Sequence, residues 1–271
     1  MRVLIFGDLF WKTGRFALAK EINWLKEKYN PDLIIANWEN MTHWSGSNSK
    51  HLSFLKDLWV DVVTWWNHTL KRKDDILEEL SWESPYALRP DNYYETDEYK
   101  LPWKWHAIYE KNNKKTLIIN LLSWIFVNAD VINPFVRLEE ILKQYNRDEL
   151  DAIIIDFHRE TTSEINAMAL MQDWVASLVF WTHTHIQTND EKILPKWTAT
   201  IADIWMVWPD NSVIWADLEW FKQKFFIWGI WWWRIEPLDT DKYVLNWLFV
   251  EINDKKAIKI EKIRINWELK K

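Results

Sequence analysis

Short apolar runs alternate with amphipathic stretches along the first two thirds of the chain. The run at 3–6 precedes an amphipathic stretch at 16–29, and the run at 33–36 precedes another at 49–58. Such alternation is typical of α/β layering, because strands and one-sided helices cover each other's apolar faces. The pattern predicts strands at 3–6, 33–36, 60–64, 116–121, 152–156 and 176–180, and helices at 16–29, 49–58, 136–145 and 163–171.

The last third of the chain has a different pattern, with short apolar runs separated by turns. Residues 245–252 and 257–265 are predicted to form an antiparallel pair joined by the polar residues 253–256. The polar segment 81–100, rich in Tyr, Asp and Glu, is predicted to be an excursion near the functional site. No repeat or long linker divides the sequence, and we expect a single domain spanning 1–271.

Polar side chains follow the predicted strands, at the point where each strand ends. In open α/β sheets, ligands bind outside the carboxyl ends of the strands, so we expect these side chains to lie together. Their carboxylate, amide and imidazole groups suit two divalent cations that share a bridging carboxylate. The residues are Asp8, Glu39, Asn40, Asn67, His68, His158, His183 and His185.

Single members of this set are weak evidence for a metal, because a lone histidine after a strand is more often a surface residue or a hydrogen-bonded core residue. His183 and His185 alternate along an extended segment and can therefore point the same way. Asp32, Asp61 and Asp151 each precede a strand, so they are expected in solvent at the opposite edge.

Composition limits the chemistry further. The formal charge of −6 argues against electrostatic capture of a nucleic-acid backbone or an anionic membrane, so we expect neither stable nucleic-acid binding nor membrane attachment. The absence of cysteine excludes thiolate ligands and favours Fe, Mn, Mg or Zn. The apolar run before Asp8 is too short for a signal sequence, so a cytoplasmic location is expected.

The chain has 24 tryptophans and only 4 glycines, whereas glycine makes up about 7% of ordinary proteins. Several tryptophans stand at turn positions, where a residue without a Cβ is usually needed, including Trp38, Trp66, Trp181 and Trp197. We hypothesise that the gene comes from a lineage that reads the UGA codon as glycine, and that its sequence was translated with a genetic code that assigns UGA to tryptophan. The alternative is a tryptophan-rich protein that binds carbohydrates or aromatic ligands with exposed indole faces.

Several motifs resemble those of a known family once tryptophan is taken as glycine at the turns. They are GDLFWKTGR at 7–15, IANWEN at 35–40, VDVVTWWNHT at 60–69, INLLSW at 119–124, IDFHRETTSE at 155–164, WTHTHIQTNDEKILPKWTA at 181–199 and DIWMVWPDNSVIW at 203–215. Over nearly its whole length the sequence resembles the YmdB-like branch of the calcineurin-type metallophosphoesterases. In that family the glycine positions would be those of Trp11, Trp38, Trp66, Trp124, Trp181, Trp197, Trp205, Trp208 and Trp215.

Two departures from the broader superfamily match this branch. The superfamily usually has Asp-x-His after its first strand, where this chain has Phe10 in the third position. Glu39 and Asn40 replace the usual aspartate motif after the second strand. The resemblance implies a four-layer α/β/β/α metallophosphoesterase sandwich.

The resemblance also implies a function and a ligand set. Family members hydrolyse 2',3'-cyclic nucleotides and are described as containing iron or manganese, which implies a metal-bound hydroxide as nucleophile. His68 would act as general acid on the leaving ribose oxygen, although it could instead be a structural ligand. One metal would be held by Asp8, Glu39, Asn40 and His185, and the other by Glu39, Asn67, His158 and His183, with Glu39 as the bridge.

Other functions are compatible with the same residues. A phosphomonoesterase or a protein phosphatase could use the same metal site, and a non-catalytic metal- or nucleotide-binding regulator could retain it. The expected substrate is a small cyclic nucleotide or an RNA-derived phosphodiester, and the resemblance suggests a homo-oligomer.

Overall fold

The structure, a computed structural model, describes residues 1–41, 48–66, 86–96, 106–127, 129–204, 206–226 and 237–268. The strands are β1 Arg2–Phe6, β2 Asp8–Leu9, β3 Leu33–Asn37, β4 Val62–Thr64, β5 Ala87–Leu88, β6 His106–Lys111, β7 Lys114–Leu122, β8 Ala152–His158, β9 Leu178–Phe180, β10 Lys192–Ile193, β11 Ala199–Ile201, β12 Met206–Pro209, β13 Lys242–Asn253 and β14 Lys256–Glu268. The helices are α1 Trp11–Tyr29, α2 Ser49–Asp57, α3 Pro134–Leu142, α4 Thr162–Met171 and α5 Leu218–Phe226.

The strands form two sheets. The first has the order β2-β12-β13-β1-β3-β4-β5, and β14 pairs with β13. The second has the order β10-β11-β9-β8-β7-β6. The strands β1, β3, β4 and β5 run parallel, as do β7, β8, β9 and β11. Each sheet therefore has an edge at which the carboxyl ends of several parallel strands meet.

The alternation of side chains along the strands explains the layers. Val3 and Ile5 of β1 pack with Ile118 and Ile154 of the second sheet, in a core between the two sheets. Leu4 and Phe6, on the other face of β1, pack against α1 and α2. The far face of the second sheet packs against α3 and α4 in the same way. The predicted four-layer α/β/β/α arrangement is confirmed.

Local sequence signals set the helix starts. Asn48 caps α2, where its side chain accepts a hydrogen bond from the amide of His51 at 3.1 Å. Asn133 caps α3 in the same way, and Pro134 fills the first helical position, where no amide donor is needed.

Helix α1 begins at Trp11, five residues before the predicted start at 16. Its first turn lies so close to the sheet that a Cβ at Gly14 would be 2.7 Å from the carbonyl oxygen of Val207 in β12. The amide of Trp11 donates to the carbonyl of Asn40 at 3.0 Å, which ties the start of α1 to the end of β3. These contacts are tertiary, so hydrophobic periodicity gave no sign of them.

All the predicted strands and helices are present, with bounds that differ by a few residues. The predicted closing pair is the β13–β14 hairpin, in which Asp254 and Lys255 form the turn with φ angles of 47° and 67°. Part of the segment 81–100 belongs to the first sheet, because β5 pairs with β4. Within the described residues, no helix is long and apolar enough to cross a lipid bilayer.

Candidate metal centre

The fold brings most of the predicted ligands to one edge, formed by the carboxyl ends of the parallel strands. Asp8 lies in β2, directly after β1, and His158 is the last residue of β8. We call this edge, with its residues Asp8, Glu39, Asn40, His158, His183 and His185, the metal edge. Asn67 and His68 lie outside the described residues, directly after Trp66.

Asp8 and Asn40 form a buried pair on the metal edge. The backbone amide of Asn40 donates to Asp8 Oδ1 at 3.2 Å, and its side-chain amide donates to Asp8 Oδ2. Burial raises the pKa of Asp8 to about 7, although the bonds from Asn40 oppose this effect. A carboxylate that is costly to ionise in the protein alone is well suited to a cation, which would favour the ionised form.

Glu39 connects the ends of two strands. Its Oε2 atom accepts a hydrogen bond from the backbone amide of Trp66, after β4, at 2.6 Å. The amide of Glu39 in turn donates to Asn37 Oδ1, at the end of β3, at 3.0 Å. Glu39 is almost completely buried. The residue predicted to bridge two metals therefore lies between the Asp8 side of the edge and the segment that leads to Asn67.

His158 and His183 contact each other. His183 Nδ1 lies 3.0 Å from His158 Nε2, and the two rings are perpendicular. His183 Nε2 also pairs with the carboxylate of Glu160. The Trp66 ring stacks on His158 with 4.2 Å between ring centroids and an interplanar angle of 18°. One face of a predicted ligand is thus covered by a tryptophan that the family resemblance assigns as glycine.

The side chains of the metal edge are of the kinds that bind divalent cations, since they include carboxylate, amide and imidazole groups. Two of these side chains, Asp8 and Glu39, are buried acids. Among the described residues, however, no three His, Asp or Glu side chains lie close enough together to hold a metal ion. The structure brings together Asp8 with Asn40 and His158 with His183. The complete ligand set, with Asn67, stays a prediction.

The backbone at several tryptophans has the conformation that favours glycine. The φ angles of Trp11, Trp197 and Trp215, three positions predicted to be glycine, are 47°, 93° and 73°. Trp38 and Trp181 are fully buried, and their indole N–H groups have no acceptor within the described part of the chain. Burial at these motif turns does not match a binding surface of exposed indole faces, and the codon hypothesis itself stays a prediction.

Sequence reasoning missed two buried acids near this edge, Asp156 and Asp203. Burial raises the pKa of Asp156 to about 7, and the nearby charge of Asp203 contributes in the same direction. Asp203 follows β11 just as the predicted ligands follow their strands. The same strand-end rule would have found it, but β11 is only three residues long and was not predicted as a strand.

Comparisons with known proteins identify the family of this chain. The sequence model of the YmdB-like protein family matches residues 4–263. The chain belongs to this family. A "2',3'-cyclic-nucleotide 2'-phosphodiesterase" from Bacillus subtilis is 33% identical over 98% of this chain and 97% of its own length. A "putative phosphatase/phosphodiesterase" from Mycoplasma pneumoniae is 35% identical over 98% of this chain and 93% of its own length.

The fold is also shared with a solved relative. The crystal structure of a phosphatase from Mycoplasma pneumoniae superposes with a TM-score of 0.89 at 33% identity, covering 99% of this chain and 94% of that one. The predictions of a YmdB-like family member, of an α/β sandwich and of a phosphoesterase are confirmed.

Proposed function

We propose that this YmdB-like protein is a phosphodiesterase that hydrolyses 2',3'-cyclic nucleotides with two metal ions at the metal edge. The observation that carries the proposal is that two buried carboxylates, Asp8 and Glu39, lie on the same edge as the contacting imidazoles of His158 and His183. The name of the Bacillus subtilis relative supports the choice of substrate class. Iron or manganese is proposed, with magnesium or zinc as alternatives.

In the proposed site the side chains divide into two ligand groups. Asp8, Asn40 and His185 would hold one cation, while Asn67, His158 and His183 would hold the other. Glu39 would serve both, in keeping with its buried position between strand ends. Bound cations at such a site activate water as the nucleophile and offset the negative charge of the phosphate.

His68 is proposed to donate a proton to the leaving ribose oxygen. The hydrogen bond from the Trp66 amide to Glu39 fixes the chain two residues before His68. This contact supports a role for the following residues at the metal edge, because a general acid must reach the leaving oxygen within hydrogen-bond distance.

The proposal is tested with a variant in which glycine replaces tryptophan at the motif turns, purified with manganese or iron. Hydrolysis of 2',3'-cyclic AMP is compared with hydrolysis of p-nitrophenyl phosphate, a simple monoester. We expect metal-dependent cleavage of the diester, which Glu39→Ala abolishes.

Asp61→Ala is the matched control, because Asp61 is an acid at the opposite edge of the sheet. It should retain the activity. A preference for the monoester would favour the phosphatase alternative, and a metal-loaded but inactive protein would favour the regulator.

A further inference from the structure

Thr184 stands between two predicted ligands, His183 and His185, and both of its polar groups bond one buried carboxylate. The Thr184 amide and the Thr184 hydroxyl each donate to Asp203 Oδ2 at 2.8 Å. Asp203 is completely buried, whereas Thr184 is exposed. Two hydrogen bonds from one residue to the same buried carboxylate oxygen restrain the segment between the two imidazoles.

The backbone of Asp203 holds the same loop further along. The Thr188 amide donates to the carbonyl of Asp203 at 3.1 Å, and the Asp203 amide donates to the hydroxyl of Thr188 at 2.9 Å. Asp203 thus binds the chain on both sides of His185, at Thr184 and at Thr188.

His185 itself has an unfavourable backbone conformation. Its φ angle is 60°, in the left-handed region that side-chain-bearing residues rarely adopt. Such a conformation persists only where the surrounding structure holds it in place, and it is found most often at functional sites. The bonds from Asp203 to Thr184 and Thr188 provide that restraint.

We propose that Asp203 is a positioning residue, which acts through Thr184 to set His183 and His185 for metal binding. The inference rests on the proposed metal centre and adds a residue that is not one of its ligands. Removal of a group that hydrogen-bonds to a metal ligand and orients it typically lowers metal affinity by about 10- to 100-fold.

Asp173 offers a matched control at the opposite edge of the second sheet. Its carboxylate accepts hydrogen bonds from the amides of Lys196 at 3.0 Å and Thr198 at 3.3 Å. The residue between them, Trp197, is left-handed with a φ angle of 93°. Asp173 therefore holds a strained loop as Asp203 does, but its loop contains no predicted ligand.

The experiment compares Asp203→Ala, Asp203→Asn and Asp173→Ala with the parent chain and with the variant in which glycine is restored. Manganese affinity and the number of ions bound are measured by titration and elemental analysis, and melting temperatures are measured in chelator. We expect Asp203→Ala to weaken manganese binding about 10- to 100-fold. Asp203→Asn should recover most of the affinity, because its amide oxygen can accept the same two bonds.

Asp173→Ala should lower the melting temperature in chelator and leave manganese affinity unchanged. Equal affinities in Asp203→Ala and Asp173→Ala at a similar loss of stability would overturn the inference. If Asp203→Ala does not fold, Thr184→Val decides the matter, because it removes the hydroxyl of an exposed residue, with its bond to Asp203 and a longer one to the carbonyl of Ile186, and keeps the backbone bond to Asp203. It should weaken manganese binding several-fold, and an unchanged affinity would contradict the inference.

The measurement separates this inference from the proposed function. Metal binding without diester hydrolysis would count against the phosphodiesterase proposal, while the comparison of Asp203 with Asp173 would still be decided. A parent chain and a glycine-restored variant that both bind no manganese would overturn the metal centre and this inference together.

Discussion

The two edges of the sheets use aspartate in opposite ways. At the metal edge, burial raises the pKa of Asp8 to about 7. At the amino edge, where the parallel strands begin, Asp32 accepts hydrogen bonds from the amide of Arg2 at 2.7 Å and from Lys114 Nζ at 3.1 Å. Burial alone would raise the pKa of Asp32, but these bonds lower it. A bound cation would favour the ionised form of a buried acid such as Asp8, whereas the ionised form of Asp32 is already stabilised by its hydrogen bonds and by Lys114.

Asp61 illustrates the amino edge further. It accepts hydrogen bonds from the amide of Ile34, from the hydroxyl of Tyr109 and from Lys111 Nζ. Its side chain is only 10% exposed, so the expectation that it lies in solvent is wrong, although its edge was correctly predicted. An acid before a strand caps the amide groups of neighbouring strands, which requires contact with the sheet.

The largest expected effect comes from matched substitutions at the two edges. Asp8→Asn should lower metal-dependent diester hydrolysis by on the order of 10³-fold, because it removes a charged ligand. Asp61→Asn should leave kcat within about twofold and lower the free energy of unfolding by about 1–3 kcal/mol, because it weakens the hydrogen bonds that the largely buried Asp61 carboxylate accepts. Steady-state kinetics and urea unfolding measure the two effects, and equal losses of activity would break the distinction between the edges.

Substitution of His68 tests whether this residue transfers a proton or binds a metal ion. His68→Ala should lower kcat by about 10²- to 10³-fold and leave metal content unchanged, as expected for a general acid. Elemental analysis and kinetics on the same preparation distinguish the two roles. A parallel loss of metal and activity would identify His68 as a ligand instead.

The pH dependence of stability should have opposite signs at the two edges in the metal-free protein. The pKa of Asp156 is raised from 3.8 to about 7, so its folded form binds the proton more tightly than the unfolded chain. Its contribution is fully present below pH 4 and is lost as pH rises through about 7, by about 4 kcal/mol. The pKa of Asp32 is lowered, so its contribution is present above pH 4 and is lost as pH falls further.

Urea unfolding of Asp156→Asn and Asp32→Asn between pH 3 and pH 8 measures these two slopes. Asp156→Asn should flatten the plot of unfolding free energy against pH only between about pH 4 and pH 7, and Asp32→Asn only below about pH 4. A loss of both slopes in one variant would show that the two edges titrate as a coupled unit.

The smallest expected effect concerns Trp66, which covers one face of His158. Trp66→Gly should strengthen manganese binding about tenfold, because it removes a large ring from a tightly packed turn. Trp24→Gly, at a half-exposed helical position away from the metal edge, is the control. The codons at 38, 66 and 181 give an independent check, and UGG at all three would exclude recoding.

The sequence predicted the regions where one physical signal dominates. The central strands β1, β3, β7 and β8 are mainly apolar, and the strand-end rule placed Asp8, Glu39 and His158 on one edge. Short strands such as β5 and β10 were missed, since two residues show no periodicity.

Asp203 was missed because the short strand β11 before it was not predicted. Its hydrogen bonds with Thr184 and Thr188, fifteen or more residues away in sequence, gave no second signal. The early start of α1 depends likewise on its contact with β12. Contacts between elements of this kind leave no periodic trace in the chain. The positions of polar residues at strand ends were therefore easier to predict than the groups that hold them.

The close packing of Gly14 on β12 limits which residues this position can accept in evolution. A methyl group at this position would press on Val207, whose strand pairs in register with Asp8 and Leu9. The disturbance would therefore reach Asp8, although Gly14 is not itself a predicted ligand. Selection for activity would then act on Gly14 through its contact with β12, so the tolerance of this position to mutation would depend on packing and not on contact with the substrate.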